Sequence, residues 1–394
     1  MNRWTIIGML LVAQHVTPQC GSGSSSSSGG PQNMVVINLN AGPSGDAFNT
    51  PLVSVTVCLP GQTSGCQTID GIEIDTGSSG LRILSSALTV ALPRQTTTSG
   101  TAVVECFPFQ DGYTWGPVAT ADIRIGSEQA GSVPVQIIGA SGTPAAPDSC
   151  TSSGGAAENT LDTLGANGIL GVGIFRQDCG QACAFVGSSN PGLYYACGSS
   201  GCQVTAESLT QQLQNPVWMF PQDNNGVLIQ LPNVTPPGQV QASGLLFFGI
   251  GTQSNNGLGN ANVFTLDNSG NMTTSFGSTR SPGFIDSGSN GYYFLDSATT
   301  QIPTCADIKS FYCPTGTLTL SAGNLGANGR SNSVSFSIAN ADNFLKLPDS
   351  LLPQIGGPFA GYFDWGLPFF YGRSVFTAIE GQSTPGGVGP YFAY

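Results

Sequence analysis

The sequence predicts an all-β body of two related lobes, and three observations predict it. The 394 residues include 55 Gly and 26 Pro, which interrupt helices too often for a mainly helical protein. From residue 33 onward, short runs alternate apolar and polar side chains between Gly, Pro, Asn and Asp, as in Met34–Leu39, Val53–Val57 and Ala121–Ile125. Asp75-Thr76-Gly77-Ser78 recurs as Asp286-Ser287-Gly288-Ser289, each copy lying between two apolar runs and the two copies separated by the length of a domain. Helical turns are expected only at Ala206–Leu213 and Ala298–Ile302.

The chain divides in order. Residues 1–20 read as an export signal of lipoprotein type: Arg3, an apolar run from Trp4 to Ala13 that is too short to span a bilayer, then Cys20. Thr17-Pro18-Gln19 departs from the usual small-residue lipobox, so Cys20 is a candidate lipidation site within a signal whose export function is the firmer reading. Residues 21–32 form a Gly/Ser tether. The first lobe is expected over 33–251 and the second over 252–394, packed as one body because no low-complexity linker separates them. This organisation places the protein in the cell envelope, periplasmic or tethered to the outer membrane, or outside the cell.

Charge and cysteines narrow the chemistry. Ten Lys and Arg stand against 22 Asp and Glu, a net charge of −12, which disfavours nucleic acid and leaves a lipid at Cys20 as the only route to a membrane. The single histidine, His15, lies in the export segment, so the body holds no Ser-His-Asp, Cys-His or HExxH site. Acid–base work then falls to carboxylates or tyrosines. Of 11 cysteines, Cys20 apart, an even number remains for disulfides in an oxidising compartment. Cys58 with Cys66, Cys305 with Cys313 and Cys106 with Cys150 suggest themselves, and Cys179, Cys183, Cys197 and Cys202 supply two more bridges. A zinc site is disfavoured for those four because they lack a CxxC pair. Asp267–Asn271 and Asp223–Gly226 read as turns rather than calcium loops, and Tyr292–Phe294 and Phe369–Tyr371 as sheet core.

One Asp-Thr-Gly alone is a β-turn. Two copies with matching flanks demand more. An Asp ending a buried strand is costly unless hydrogen-bonded, and the hydroxyl and Gly that follow make a tight loop whose N–H groups support a carboxylate. Two such loops across a pseudo-twofold axis bring two carboxylates together. Like charges that close share a proton and hold a water, one acting as base toward the water and the other as acid toward a carbonyl.

These residues resemble the pepsin-like aspartic peptidases, whose two lobes each carry such a loop at a strand end. The resemblance extends along the chain from about residue 33 to 394. Ile169-Leu170-Gly171 is similar to the segment that crosses the first loop, and Asp364-Trp365-Gly366, more loosely, to the second. Phe109 to Gly116 resembles the flap, Leu245 to Gly251 the strand before the crossover, and Val388 to Tyr394 the strand closing the inter-lobe sheet. As a whole the chain also resembles a family of exported bacterial proteins known only as a domain of unknown function.

The resemblance implies a water-activating dyad of Asp75 and Asp286. It implies loops supported by Thr76, Gly77, Ser78, Ser287, Gly288 and Ser289, with Thr76 and Ser287 bracing them. Phe109, Asp111, Gly112, Tyr113 and Arg82 fall at the flap, and the substrate is a peptide or protein accepted in extended form. The protein is expected to be a monomer, and neither metal nor organic cofactor is implied. Phe109 and Arg82 stand where the family usually has Tyr and Trp, which hydrogen-bond each other; here a cation–π contact is the available substitute. Glu73 shares a strand face with Asp75 and reads as a solvated edge residue, since a third buried carboxylate would disturb the dyad. The loop context favours peptide over glycoside hydrolysis. The reading from another class is a pepsin-fold binding or surface protein with weak or absent catalysis.

Overall fold

Alternation of β-branched and polar residues, broken by glycine turns, builds nearly everything in the structure, a computed structural model that describes residues 33–152 and 155–394. The expected export segment, the tether and Cys20 lie outside the described residues. A sixteen-stranded sheet and a seven-stranded sheet hold the chain. Helices are confined to four-residue pieces such as Ser297–Thr300, among the described residues. This is an all-β fold, as expected, built on two large sheets.

The larger sheet runs from the hairpin of Ala102–Pro108 and Gly112–Ile125 through Gln67–Asp75 to Met34–Leu39 at its middle. Beyond it, Ala242–Phe248 and Gly226–Gln230 carry the sheet to Ser374–Ala378, Tyr391–Ala393 and Val263–Thr265. Late and early parts of the chain therefore share one hydrogen-bonded sheet. The seven-stranded sheet contains Thr279–Ile285, which leads into Asp286, paired in parallel with Phe359–Trp365.

Inward-facing residues merge into a core that reaches from Val55 and Ile72 to Phe294, Phe336, Phe363 and Trp365. Phe363 and Trp365 lie with ring centroids 4.4 Å apart. Each such fully buried ring stabilises by about 1.5–3 kcal/mol relative to exposure. Phe369, Phe370 and Tyr371 are core, as expected, and so are Tyr292 and Phe294. Tyr293 is not: the alternation of the strand turns it to the other face.

Asn49 ties distant parts of the chain. Its side-chain amide donates to the carbonyls of Asn290 (2.7 Å) and Leu352 (2.9 Å), and its Oδ1 accepts from the Leu352 N–H (2.7 Å) and the Tyr371 hydroxyl (2.6 Å). Its φ of 51° is a left-handed conformation that Asn tolerates better than most residues.

Five disulfides form: Cys58–Cys66, Cys106–Cys150, Cys179–Cys183, Cys197–Cys202 and Cys305–Cys313. Cys58–Cys66, Cys106–Cys150 and Cys305–Cys313 are the pairings suggested, the four remaining cysteines form the two further bridges whose connectivity was open, and all five fit an oxidising compartment. No helix among the described residues is long and apolar enough to cross a membrane. Ala298–Ile302 contains the expected helical turn, but Ala206–Leu213 has only turns. There the Ser208 hydroxyl bonds the Gln211 side chain, and the buried Gln212 amide bonds the Glu207 and Gly180 carbonyls, offering the backbone alternatives to a helix.

Candidate active site

Both Asp loops end parallel strand pairs of the same construction. In the first, Asp75 lies in register with Gly171, and Ile74 with Leu170. In the second, Ile285 lies opposite Trp365, and the Asp286 N–H donates to the Trp365 carbonyl (3.1 Å). Gly366 thus follows Trp365 as Gly171 follows Leu170. The chain past each glycine is pinned to its loop, the Gly173 N–H by the Ser78 carbonyl (2.8 Å) and the Leu367 N–H by the Ser289 carbonyl (2.7 Å). A Cβ on Gly366 would lie 2.1 Å from the Gly291 carbonyl oxygen, and one on Gly171 2.7 Å from the Ser79 nitrogen.

A reciprocal set of hydrogen bonds locks the loops together. The Thr76 N–H donates to the Ser287 Oγ (3.1 Å), and the Ser287 N–H to the Thr76 Oγ1 (2.9 Å). Each hydroxyl then donates across to the opposite strand, Thr76 to the Ile285 carbonyl (3.2 Å) and Ser287 to the Ile74 carbonyl (2.7 Å). These groups are buried, so each bond replaces one that water would make.

The brace sets the two carboxylates face to face. The Gly77 N–H donates to Asp75 Oδ1 at 2.7 Å and to Asp286 Oδ1 at 3.1 Å, one donor shared between them. The Gly288 N–H donates to Asp286 Oδ1 (2.8 Å). Ser78 donates to Asp75 Oδ2 in a short bond, and Ser289 to Asp286 Oδ2 at 3.2 Å. A Cβ on Gly77 would lie 2.4 Å from Asp286 Oδ2, and one on Gly288 2.8 Å from Asp75 Oδ1, so only glycine permits this approach.

The dyad opens into a cleft of about 690 Å³. Its lining includes Glu73, Asp111, Glu158 and Asp364 besides the dyad, with Phe109 from the flap and Ile169 from the crossing segment, and no Lys or Arg among the described residues. Glu73 corrects the solvated reading. It lies at the cleft floor beside Asp75, and its strand face points inward because Asp75 shares it. Burial, then the Asp75 charge, pushes its carboxyl well up from the usual range. Asp286 is likewise raised well above a normal Asp by burial, then by Asp75 and Asp364. Glu158 is pushed up to about 8 by burial and by Asp111.

The flap is the hairpin expected, closed at its tip by the Phe109 N–H on the Gly112 carbonyl (2.8 Å). Phe109 and Asp111 reach the cleft. Gly112 pairs in the sheet with Ala156, where a Cβ would meet its carbonyl at 2.5 Å. Tyr113 and Arg82 are not in the cleft. Tyr113 packs on the cluster of Cys106, Trp115 and Cys150. Arg82 is fully buried beneath Phe107, its guanidinium 3.7 Å from that ring and 6.0 Å from Phe109, so its main cation–π partner is Phe107.

Sequence reasoning missed Asp364, Glu158 and an aromatic wall of Phe311, Tyr293 and Phe359. For Asp364 a signal existed: it falls in the crossing segment at the register of Ile169, where the first lobe has an apolar residue.

The raised carboxyls carry a stability consequence. A folded-state value above the unfolded one means that the folded protein binds more protons, so the contribution is complete at acid pH and is lost as pH rises. For Glu158 the loss runs from about 4.5 to about 8. The melting temperature is expected to fall across that range, and Glu158→Gln to flatten the fall. Thermal unfolding in a pH series checks both; a melting temperature that climbs steadily toward pH 8 contradicts the assignment.

A family model described as "Protein of unknown function (DUF3443)" matches residues 29–394. No curated protein matches the chain. Among solved structures, the chain is similar to the "Crystal structure of aspartic proteinase from Irpex lacteus", at 15% identity and a TM-score of 0.49, over 91% of this chain and 96% of that one.

Proposed function

We propose that this chain, which belongs to the DUF3443 family of proteins of unknown function, is an aspartic endopeptidase that hydrolyses peptide bonds through Asp75 and Asp286. One observation carries the reading: two carboxylates from matching loops face each other across the shared Gly77 N–H, in a braced site open to a cleft. A binding protein has no need of that brace.

Burial, then the neighbouring Asp75 and Asp364, raises Asp286 well above a normal Asp and casts it as the proton donor. Asp75 is then the base. It takes a proton from a water whose oxygen bonds to the substrate carbonyl carbon, while Asp286 gives its proton to the carbonyl oxygen. When the tetrahedral intermediate collapses, the proton on Asp75 passes to the amide nitrogen, the C–N bond breaks, and Asp286 recovers a proton from the intermediate's hydroxyl. Export and an envelope location, with Cys20 as a lipid anchor, belong to the same reading.

The test is peptide-library cleavage by purified residues 21–394, from acid to neutral pH, with and without a statine-type transition-state inhibitor. Cleavage that the inhibitor blocks supports the peptidase. A folded protein inert at every pH overturns it. The displaced Arg82 and the Phe at the flap favour the second reading, a catalytically weak binding protein, to the extent that such an inert protein still binds the inhibitor.

A further inference from the structure

The dyad accounts for two of the cleft's carboxylates and leaves Glu73, Asp111, Glu158 and Asp364 unused. Asp364 is only 3% exposed, its Oδ1 has no hydrogen-bond partner, and the residue lines the cleft. A buried acceptor left unpaired is costly, and a cationic donor is the group that would satisfy it best. Each lobe contributes one such acid on adjacent strands in swapped places: Glu73 lies opposite Ile169 in the first, and Asp364 opposite Phe284 in the second. The cleft is lined as well by the rings of Tyr293, which is the partner of Asp364 across the strands, Phe311 and Phe359. Rings and a carboxylate in one cleft suit a side chain with an apolar stem and a charged head.

The acids do not make a metal cage. Among the described residues, the one group of three ligand atoms within 4.8 Å of each other is Cys305, Cys313 and Asp342, and those cysteines are joined in a disulfide.

We propose that the cleft selects peptides with a lysine or arginine beside the scissile bond, its stem along the aromatic wall and its charge on Asp364. The inference rests on the peptidase reading and names the substrate class of that site. The chain's own composition fits it, since a protein with only ten Lys and Arg in 394 residues gives such an enzyme few places to cut itself.

Matched peptides differing only by lysine, arginine or norleucine at each position flanking the cleaved bond test the proposal by kcat/KM. A matched pair of statine-type ligands, one bearing lysine and one norleucine, tests it by calorimetry. The basic peptide is expected to be favoured about 10-fold or more at one position, the worth of a charge-assisted hydrogen bond. Asp364→Asn brings that ratio close to one, and Glu73→Gln reports whether the other lobe's acid shares the role. Both peptides meet the same enzyme, so partial misfolding of a variant cancels from the ratio. Norleucine peptides cleaved as well as basic ones overturn the proposal and leave the peptidase standing. If nothing is cleaved but the lysine ligand binds more tightly in an Asp364-dependent way, the peptidase fails and the cationic preference survives. Equal binding in that case overturns both.

Discussion

Asp75→Asn and Asp286→Asn each reduce peptide hydrolysis by about 10⁴-fold, the upper range for losing a positioned acid or base. Asn keeps the size of Asp and can still accept from the Gly77 or Gly288 N–H, so the loops remain braced. What disappears is the proton cycle: an amide neither accepts a proton from water nor returns one to the leaving nitrogen. The two residues act as a unit, so the double variant is expected to be no worse than either single one. Stability does not suffer, because Asp75→Asn removes the charge that raises Asp286 and Asp286→Asn replaces a group already raised by burial. Steady-state cleavage with circular dichroism on the same preparations is the check. A single variant retaining activity within a factor of about 10 would show that the dyad is not the catalyst.

Arg82→Met destabilises the fold by about 3–5 kcal/mol, the cost of leaving buried charge without its partner. The guanidinium donates to Glu105 Oε1 (2.7 Å), Asp178 Oδ2 (3.1 Å) and the Ser79 carbonyl (3.0 Å), and both acids are wholly buried. It thereby ties three elements: the strand after the first Asp loop, the flap strand, and the cysteine-rich segment. Tyr194 completes the cluster, its hydroxyl donating to Asp178 at 2.8 Å and accepting from the Leu213 N–H at 2.7 Å. One cation faces two acids. Burial, then Glu105, raises Asp178 well above its usual range. Removing Arg82 takes away the one opposing charge and raises Asp178 further. The variant is therefore least stable at neutral pH and above, and recovers toward acid pH. Adding Glu105→Gln and Asp178→Asn restores much of the loss. Urea unfolding at two pH values decides: a loss below about 1 kcal/mol, typical of an exposed pair, would contradict the buried network.

The two Asp loops were legible because their signal is local and repeated. Asp, hydroxyl, Gly and Ser stand in unbroken sequence, and both copies end apolar strands. The disulfides were legible for a related reason, since four of the five close loops with sequence separations of eight residues or fewer. Arg82 was not. Its partners lie 23 and 96 residues away, and nothing near it in sequence marks it as buried. Glu73 was misread for an energetic reason: a third carboxylate at the dyad looked too costly, yet it lines the cleft half-buried, where burial and Asp75 push its carboxyl up. The expected helix at Ala206–Leu213 failed because side chains such as Gln212 compete for the backbone groups a helix would use.

Asn49 bears on how the chain reaches this state. Its side-chain partners lie 241, 303 and 322 residues further along. Synthesis delivers Asn49 long before any of them, and contacts of such long range are reached slowly because loop closure precedes the reward. Until they arrive, sheet edges that are paired in the finished protein stand open to other chains. The early half thus waits for the late half, and folding ends in a joint closure that depends on protection from aggregation in the interval.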